Sequence, residues 1–287
     1  MPKGGITITG KWVFHQYTRI QVTKAWDDKN NQDGIRPGSI TVHLYANTVD
    51  TAQTAVLSEG NGWTAAFSAP EKDGNGAVIS YTVAEEGVDA YTPVVTGTAA
   101  AGYLITNTHV PAVRTIQVTK SWSDANDADR ERTGKVTVHL YADGVDTSRT
   151  VELNAGNGWT AAFENLDVNH AGTPIAYTVV EDAVNGYQTV INDAANGYTI
   201  TNTRITTVQG TKTWLDDSDK LGLRPASVTL TLKADGSPVA AEPTWTNTAA
   251  NQWTYTYTNL QKYHGHQQCP YSCIDNCQRH QDLDRQQ

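Results

Sequence analysis

The stretch IQVTKAW at residues 20–26 returns as IQVTKSW at residues 116–122. Self-similarity of this kind decides the architecture before any residue is assigned to a strand. A unit of about a hundred residues is too long for a solenoid repeat and has the size of a self-contained domain. Other blocks follow in the same order: TVHLYA from Thr41 and Thr137, GNGWTAAF from Gly60 and Gly156, YTV from Tyr81 and Tyr177, and ITNT from Ile105 and Ile200. A third, diverged copy opens with QGTKTWLDD from Gln209, runs through SVTLTLKADG, reaches NQWTYTYTNL at 251–260 and then loses the pattern.

The repeats divide the chain into a first domain at 19–110, a second at 111–205 and an incomplete third at 206–263. Residues 1–18 read as a leader or as the remnant of a preceding copy: GITIT from Gly5 is like a last strand, but Gly10 stands where the other copies place asparagine. Residues 264–287 read as an aberrant, disordered tail. The junctions near 110–114 and 204–207 hold no long flexible tract, so neighbouring domains are expected end to end with limited freedom.

Within each copy apolar and polar residues alternate with period two, and no segment shows helical periodicity. Asn61-Gly62 and Asn157-Gly158 read as hairpin turns ahead of Trp-x-Ala-x-Phe strands. The expected class is all-β, with each copy a two-sheet sandwich. The charge disfavours a nucleic-acid or anionic-membrane partner, both of which need a basic footprint: 30 Asp and Glu against 21 Lys and Arg give a net charge of −9. No apolar run is long enough to span a bilayer, so no membrane insertion is expected of this segment, and the N-terminus lacks signal-peptide order. All three cysteines, Cys269, Cys273 and Cys277, fall at the end, so the body of the chain contains no disulfide and needs another staple if it is secreted.

Alternation also sorts side chains by face. Ile20, Val22, Lys24 and Trp26 share one row, as do Ile116, Val118, Lys120 and Trp122, which puts a lysine among apolar residues. Tyr81, Val83 and Glu85 share a second row, matched by Tyr177, Val179 and Glu181; Tyr103, Ile105 and Asn107 share a third, matched by Tyr198, Ile200 and Asn202. Each complete copy is therefore expected to bury a Lys, a Glu and an Asn. Burial lowers a lysine pKa and raises a glutamate pKa, which favours a neutral amine beside a neutral acid. Such an amine can attack the asparagine side-chain carbonyl, while the protonated glutamate polarises it and shuttles protons until ammonia leaves. The plainer reading is a buried or snorkelling ion pair, with Asn107 hydrogen-bonding an edge strand. Glu86 faces the other side and is the less suitable acid.

The three motifs in fixed order, Val-Thr-Lys-x-Trp, Tyr-Thr-Val-x-Glu and Ile-Thr-Asn-Thr, resemble the Cna B-type (CnaB) domain. The resemblance implies tandem Greek-key β-sandwiches in series, prealbumin-like or inverse immunoglobulin-like, from a cell-wall-associated adhesin or pilin of a Gram-positive bacterium. It implies cross-links Lys24–Asn107 and Lys120–Asn202, with Glu85 and Glu181 as the proton shuttles. It implies neither an enzyme that turns over nor a cofactor. The expected function is a structural stalk whose partners are its neighbouring repeats. The alternative is an adhesive module that binds a host extracellular protein or glycan through its loops or an exposed edge.

The third copy keeps Lys212, two residues before Trp214, but the counterpart of Asn202 falls past Gln287. Lys212 is expected to lack an asparagine to bond, and the copy to lack its last strand. Asp275 falls at the acid position, with YSCID echoing YTVVE, although the surrounding sequence has lost its strand signals. The cysteines, with His264, His266 and His280, lack zinc-ligand spacing, so no metal site is expected. The stretches DDKNNQDG, SDANDADRER and DDSDK lack the ligand order of a calcium loop and read as solvated turns. His43 and His139 are expected to face solvent, and Trp26, Trp63, Trp122 and Trp159 to belong to the core.

Overall fold

The computed structural model describes residues 16–246 and 251–264 with their side chains, and the backbone of 247–249, 267–268 and 271–275. The period-two segments form the strands they predict. In the first repeat these are β1 (Tyr17–Asp27), β2 (Ser39–Ala46), β3 (Val49–Ser58), β4 (Thr64–Pro70), β5 (Tyr81–Glu85), β6 (Thr92–Thr98) and β7 (Gly102–Thr108). They form two sheets, of order β4-β1-β7-β6 and β3-β2-β5. β1 is antiparallel to β4 and parallel to β7, so the first and last strands lie side by side as a Greek key requires. The inward rows close into one core around Ile20, Val22, Val42, Leu44, Leu57, Phe67 and Ile105, with the polar rows facing out.

The second repeat copies this plan with β8 (Val113–Ser123), β9 (Lys135–Ala142), β10 (Val145–Asn154), β11 (Thr160–Asp167), the short β12 (Asn169–His170) and β13 (Thr173–Pro174), β14 (Tyr177–Glu181), β15 (Tyr187–Ala194) and β16 (Gly197–Thr213). Here β8 pairs with β11 and, in parallel, with β16, while β9 lies between β10 and β14. The third repeat contributes β17 (Leu230–Ala234), β18 (Ser237–Pro238), β19 (Thr244–Ala249), β20 (Gln252–Gln261), β21 (Tyr263–His264), β22 (Gln267–Gln268) and β23 (Tyr271–Asp275). Among the described residues no helix is long and apolar enough to cross a membrane.

Three features differ from the sequence reading. The Asn-Gly pairs do not close hairpins. Glu59–Asn61 and Ala155–Asn157 are single 3-10 turns that end in left-handed Gly62 (φ 64) and Gly158 (φ 65), and each carries the chain from one sheet to the other. The Asn61 side chain fixes the crossover by accepting from Ser58 N–H and donating to Val56 C=O, a local alternative to ladder pairing that the dipeptide signal does not distinguish. The junction expected at 204–207 is no loop: β16 runs unbroken from the last strand of the second repeat into the first strand of the third, pairing with β8 and β15 before it and β20 after it. The tail is not wholly irregular either, because β23 pairs antiparallel with β17. Backbone pairing tolerates side chains that break a sequence pattern, which is why the strand signal was weak there. Residues 1–15 and 276–287, with Cys269, His266 and Cys277, lie outside the described residues, and so do the readings made on them.

By packing, the described residues form two compact units. One comprises residues up to Arg114 with Asp167–Ile175; the other comprises Thr115–Leu166 and the residues from Ala176 onward.

Candidate functional site

The register of β1 on β7 sets Lys24 opposite Ile105 and Trp26 opposite Asn107, so Lys24 and Asn107 are near neighbours on one inward face. The β2–β5 pairing brings Glu85 opposite Val42 in the facing sheet. The trio forecast from alternation therefore meets in the core: the Lys24 and Glu85 side chains are 0% and 1% exposed with Nζ 3.9 Å from Oε1, and Asn107 is 0% exposed. Lys24 Nζ donates to Ala25 C=O (2.9 Å) and reaches Ile105 C=O at 3.5 Å; Asn107 Nδ2 donates to Glu85 Oε1 (3.1 Å). Asn107 Oδ1 and Glu85 Oε2 are buried with no hydrogen-bond partner.

The second repeat builds the same site. Lys120 lies opposite Ile200 and Trp122 opposite Asn202, and Lys120 Nζ is 3.5 Å from Glu181 Oε1 with both side chains 0% exposed. Neither side-chain polar atom of Asn202 has a partner, and Thr189 Oγ1 holds Glu181 Oε2 at 2.9 Å. Burial lowers the Lys24 and Lys120 amines from 10.5 to about 8, against the opposing pull of Glu85 and Glu181 respectively. Burial likewise raises the Glu85 carboxyl above 4.5, although Lys24 and the Asn107 hydrogen bond pull it down. A buried carboxamide with unmet polar atoms beside a weakened amine and an acid is costly as a set of non-bonded groups.

The loop after the first strand closes the site, and here the sequence reading was wrong. Asp28 and Asp124 are each 2% exposed, not solvated. Asp28 accepts two hydrogen bonds from Arg36 (2.5 and 2.9 Å), one from Asn31 N–H (2.9 Å) and one from Tyr91 OH (2.9 Å); Asp124 repeats this with Arg132, Asp127 N–H and Tyr187. Burial alone would raise the Asp28 carboxyl, but these donors hold it down at about 2. The bidentate arginine also lies 5.4 Å from the Trp26 ring centroid, on a ring whose other close cation is Lys24 at 4.0 Å. Trp26 in turn meets Trp63 and Tyr91 edge to face at 5.2 and 5.0 Å, so the tryptophans form an aromatic lid on the lysine, packed against the core. The signal was legible: an Asp with an Arg eight residues later occurs in all three copies, as Asp28–Arg36, Asp124–Arg132 and Asp216–Arg224, the last pair also bidentate.

Glu86 lies outside the core, paired with His43 at 3.0 Å, and His139 pairs with Asp182 at 3.0 Å; both imidazoles are half-buried rather than fully in solvent. Lys212 is half-buried, 4.9 Å from the Trp214 ring centroid, and makes further contacts of its own. Asp275 pairs in register with Leu230 just as Glu85 does with Val42 and Glu181 with Val138. Among the described residues, no group of three His, Cys, Asp or Glu is placed to hold a metal ion.

The Cna protein B-type domain family matches three successive segments, residues 20–108, 116–203 and 208–279. The chain belongs to this family. Its tandem sandwiches are Cna-type repeats, and the third match runs to 279, across β23. A collagen adhesin from Staphylococcus aureus is 36% identical over 93% of this chain, which spans 22% of that protein's length. The crystal structure of two B repeat units of the S. aureus collagen-binding protein superposes with a TM-score of 0.62 at 33% identity, covering 90% of this chain and 69% of that one.

Proposed function

We propose that the chain is a load-bearing stalk segment of a bacterial surface adhesin, each complete repeat locked by an intramolecular amide between Lys24 and Asn107 or Lys120 and Asn202. The observation that carries this reading is the trio itself, met twice at the same register: a dry lysine, a dry glutamate and an asparagine with unmet polar atoms. Neutral Nζ attacks the Asn Cγ, and the glutamate carboxyl takes a proton from the amine and delivers one to Nδ2. The Cγ–Nδ2 bond then breaks, ammonia leaves and the carboxyl is regenerated. Each repeat reacts once, on itself, so the chemistry has no external substrate and no cofactor. Kinship with a collagen adhesin and with tandem B repeats supports an extracellular, wall-attached setting in a Gram-positive bacterium.

Because β1 and β7 are the first and last strands, the amide would enclose nearly the whole repeat. Pulling the chain from its ends in a force spectrometer tests this. Each repeat shields about 80 residues, so the wild type should yield without the roughly 270 Å of added length per repeat that an unlinked one releases. Full extension of the wild type would rule the stalk mechanism out. A second reading, an adhesive face for a host protein or glycan, draws on β6, whose seven residues are all exposed on a sheet edge beside exposed Leu104. Retention of collagen or glycan by the repeats themselves would favour it.

A further inference from the structure

The loop that shields the lysine also ends in an aspartate that the cross-link does not use. In the second compact unit Asp129 Oδ1 accepts from Lys262 Nζ (2.7 Å) and Tyr263 OH (2.6 Å), and Oδ2 from Arg204 Nε (2.9 Å) and again from Lys262 Nζ (2.8 Å). All the charged members are largely shielded, at 16–21% side-chain exposure. Hydrogen bonds from Lys262 and Tyr263, despite burial, hold the Asp129 carboxyl well below the usual range. Arg204 stands two residues past Asn202 on β16, so Asp129 and Arg204 belong to the second repeat. Lys262 and Tyr263 follow β20, in the third. Lys262 N–H also donates to Arg204 C=O at 2.8 Å.

The first unit contains the same device in other residues. Asp33 occupies the position of Asp129, seven residues past the strand's tryptophan, and His109 the position of Arg204, two past the asparagine. Asp33 Oδ2 pairs with His109 Nε2 at 2.9 Å and accepts from Ala112 N–H at 3.1 Å. Its Oδ1 accepts from Asn169 Nδ2 at 3.1 Å, and Asn169 stands in the second repeat where Tyr263 stands in the third. In the third repeat the position is Leu221, 80% exposed.

We propose that the loop after the first strand of each complete repeat is a docking surface for the next repeat of the same chain, recognised by a donor from that repeat's segment after its fourth strand. Asp33 and Asp129 are the recognition groups. The amide cross-links play no part in this inference: they close a repeat on itself, whereas the aspartate joins two. Its partner is a following repeat that offers a cation or hydrogen-bond donor at the place of Asn169 or of Lys262 and Tyr263. Such docking makes successive repeats open together rather than as loose beads.

The test is amide hydrogen exchange on the full chain, read in the peptide from Gln252 to Tyr263, for Asp129→Asn, Lys262→Met and the double variant. Both single changes keep side-chain volume close to that of the wild type and lie outside the hydrophobic cores. Loss of a charged hydrogen bond should raise exchange in that peptide about 10-fold in each single variant, and the double variant should exchange no faster than the faster single one. Arg204→Met, which removes a donor of the second repeat itself, is the comparison for a merely local effect. If Asp129→Asn loosens only its own loop and residues near Arg204, or if the two single effects multiply, the aspartate does not link the repeats and the proposal is overturned.

Discussion

Replacing Asn107 with alanine should cost the first repeat about 4–5 kcal/mol and lower its melting temperature by roughly 20 °C or more. The estimate follows from chain entropy: a covalent link that closes a loop of about 80 residues restricts the unfolded chain as a disulfide of that span does. Urea unfolding of the variant against wild type measures it. A loss of only about 1 kcal/mol would be that of a single buried hydrogen bond and would mean no amide had been lost. The variant should also acquire a pH dependence that the wild type lacks. Its Lys24 has a folded pKa of about 8 against 10.5 unfolded, so between those values the unfolded chain holds more protons and stability rises with pH. Glu85 has the opposite sign: its folded pKa lies above 4.5, so its contribution is present in acid and fades as pH rises through the raised value. The variant is therefore least stable near neutrality, with a slope of at most about 1.4 kcal/mol per pH unit on the alkaline side. In a wild type carrying the proposed amide the lysine no longer titrates, and that limb should be flat.

The second large effect is expected in the loop that closes the site of the second repeat. Asp124→Ala leaves the Arg132 guanidinium, 21% exposed, and the Tyr187 hydroxyl without their shared acceptor and frees the loop that holds Trp122 over Lys120. Removing one partner of a buried ion pair costs about 3–5 kcal/mol, and the partial exposure of Arg132 places this case near the lower end. Thermal unfolding followed by tryptophan fluorescence reads it. A change below about 1 kcal/mol would class the pair with ordinary surface salt bridges. Asp124→Asn keeps the shape and an acceptor and should fall between the two.

Alternation along a strand was enough to place Ile20, Val22 and Lys24 on one face and Asn107 and Glu85 on theirs, because a half-buried strand has a strict period of two and the apolar neighbours mark which side is in. It placed the same trio correctly in the second copy. Loop residues obey no such period. Asp28 looked like one more soluble acid among Asp, Asn and Lys, and only its distant partners Arg36 and Tyr91 make its burial favourable. The Asn-Gly pairs misled for a related reason: a left-handed glycine serves a 3-10 crossover as well as a hairpin, and the choice depends on which sheet receives the next strand. The unbroken run of β16 was likewise hidden, since TRITTV carries no turn residue yet sits where repeat periodicity predicts a boundary. β23 was half-legible: YSCID has the spacing of YTVVE, but its strand character depends on pairing with Leu230–Ala234.

The proposed lock is covalent, so the direct measurement is the intact mass of the purified chain beside its Lys24→Ala and Lys120→Ala variants. Two cross-links predict a mass two ammonias below that of the sequence, and a deficit of one ammonia in each variant. A chain at its full sequence mass would contradict the account and leave Lys24–Glu85 and Lys120–Glu181 as buried ion pairs only.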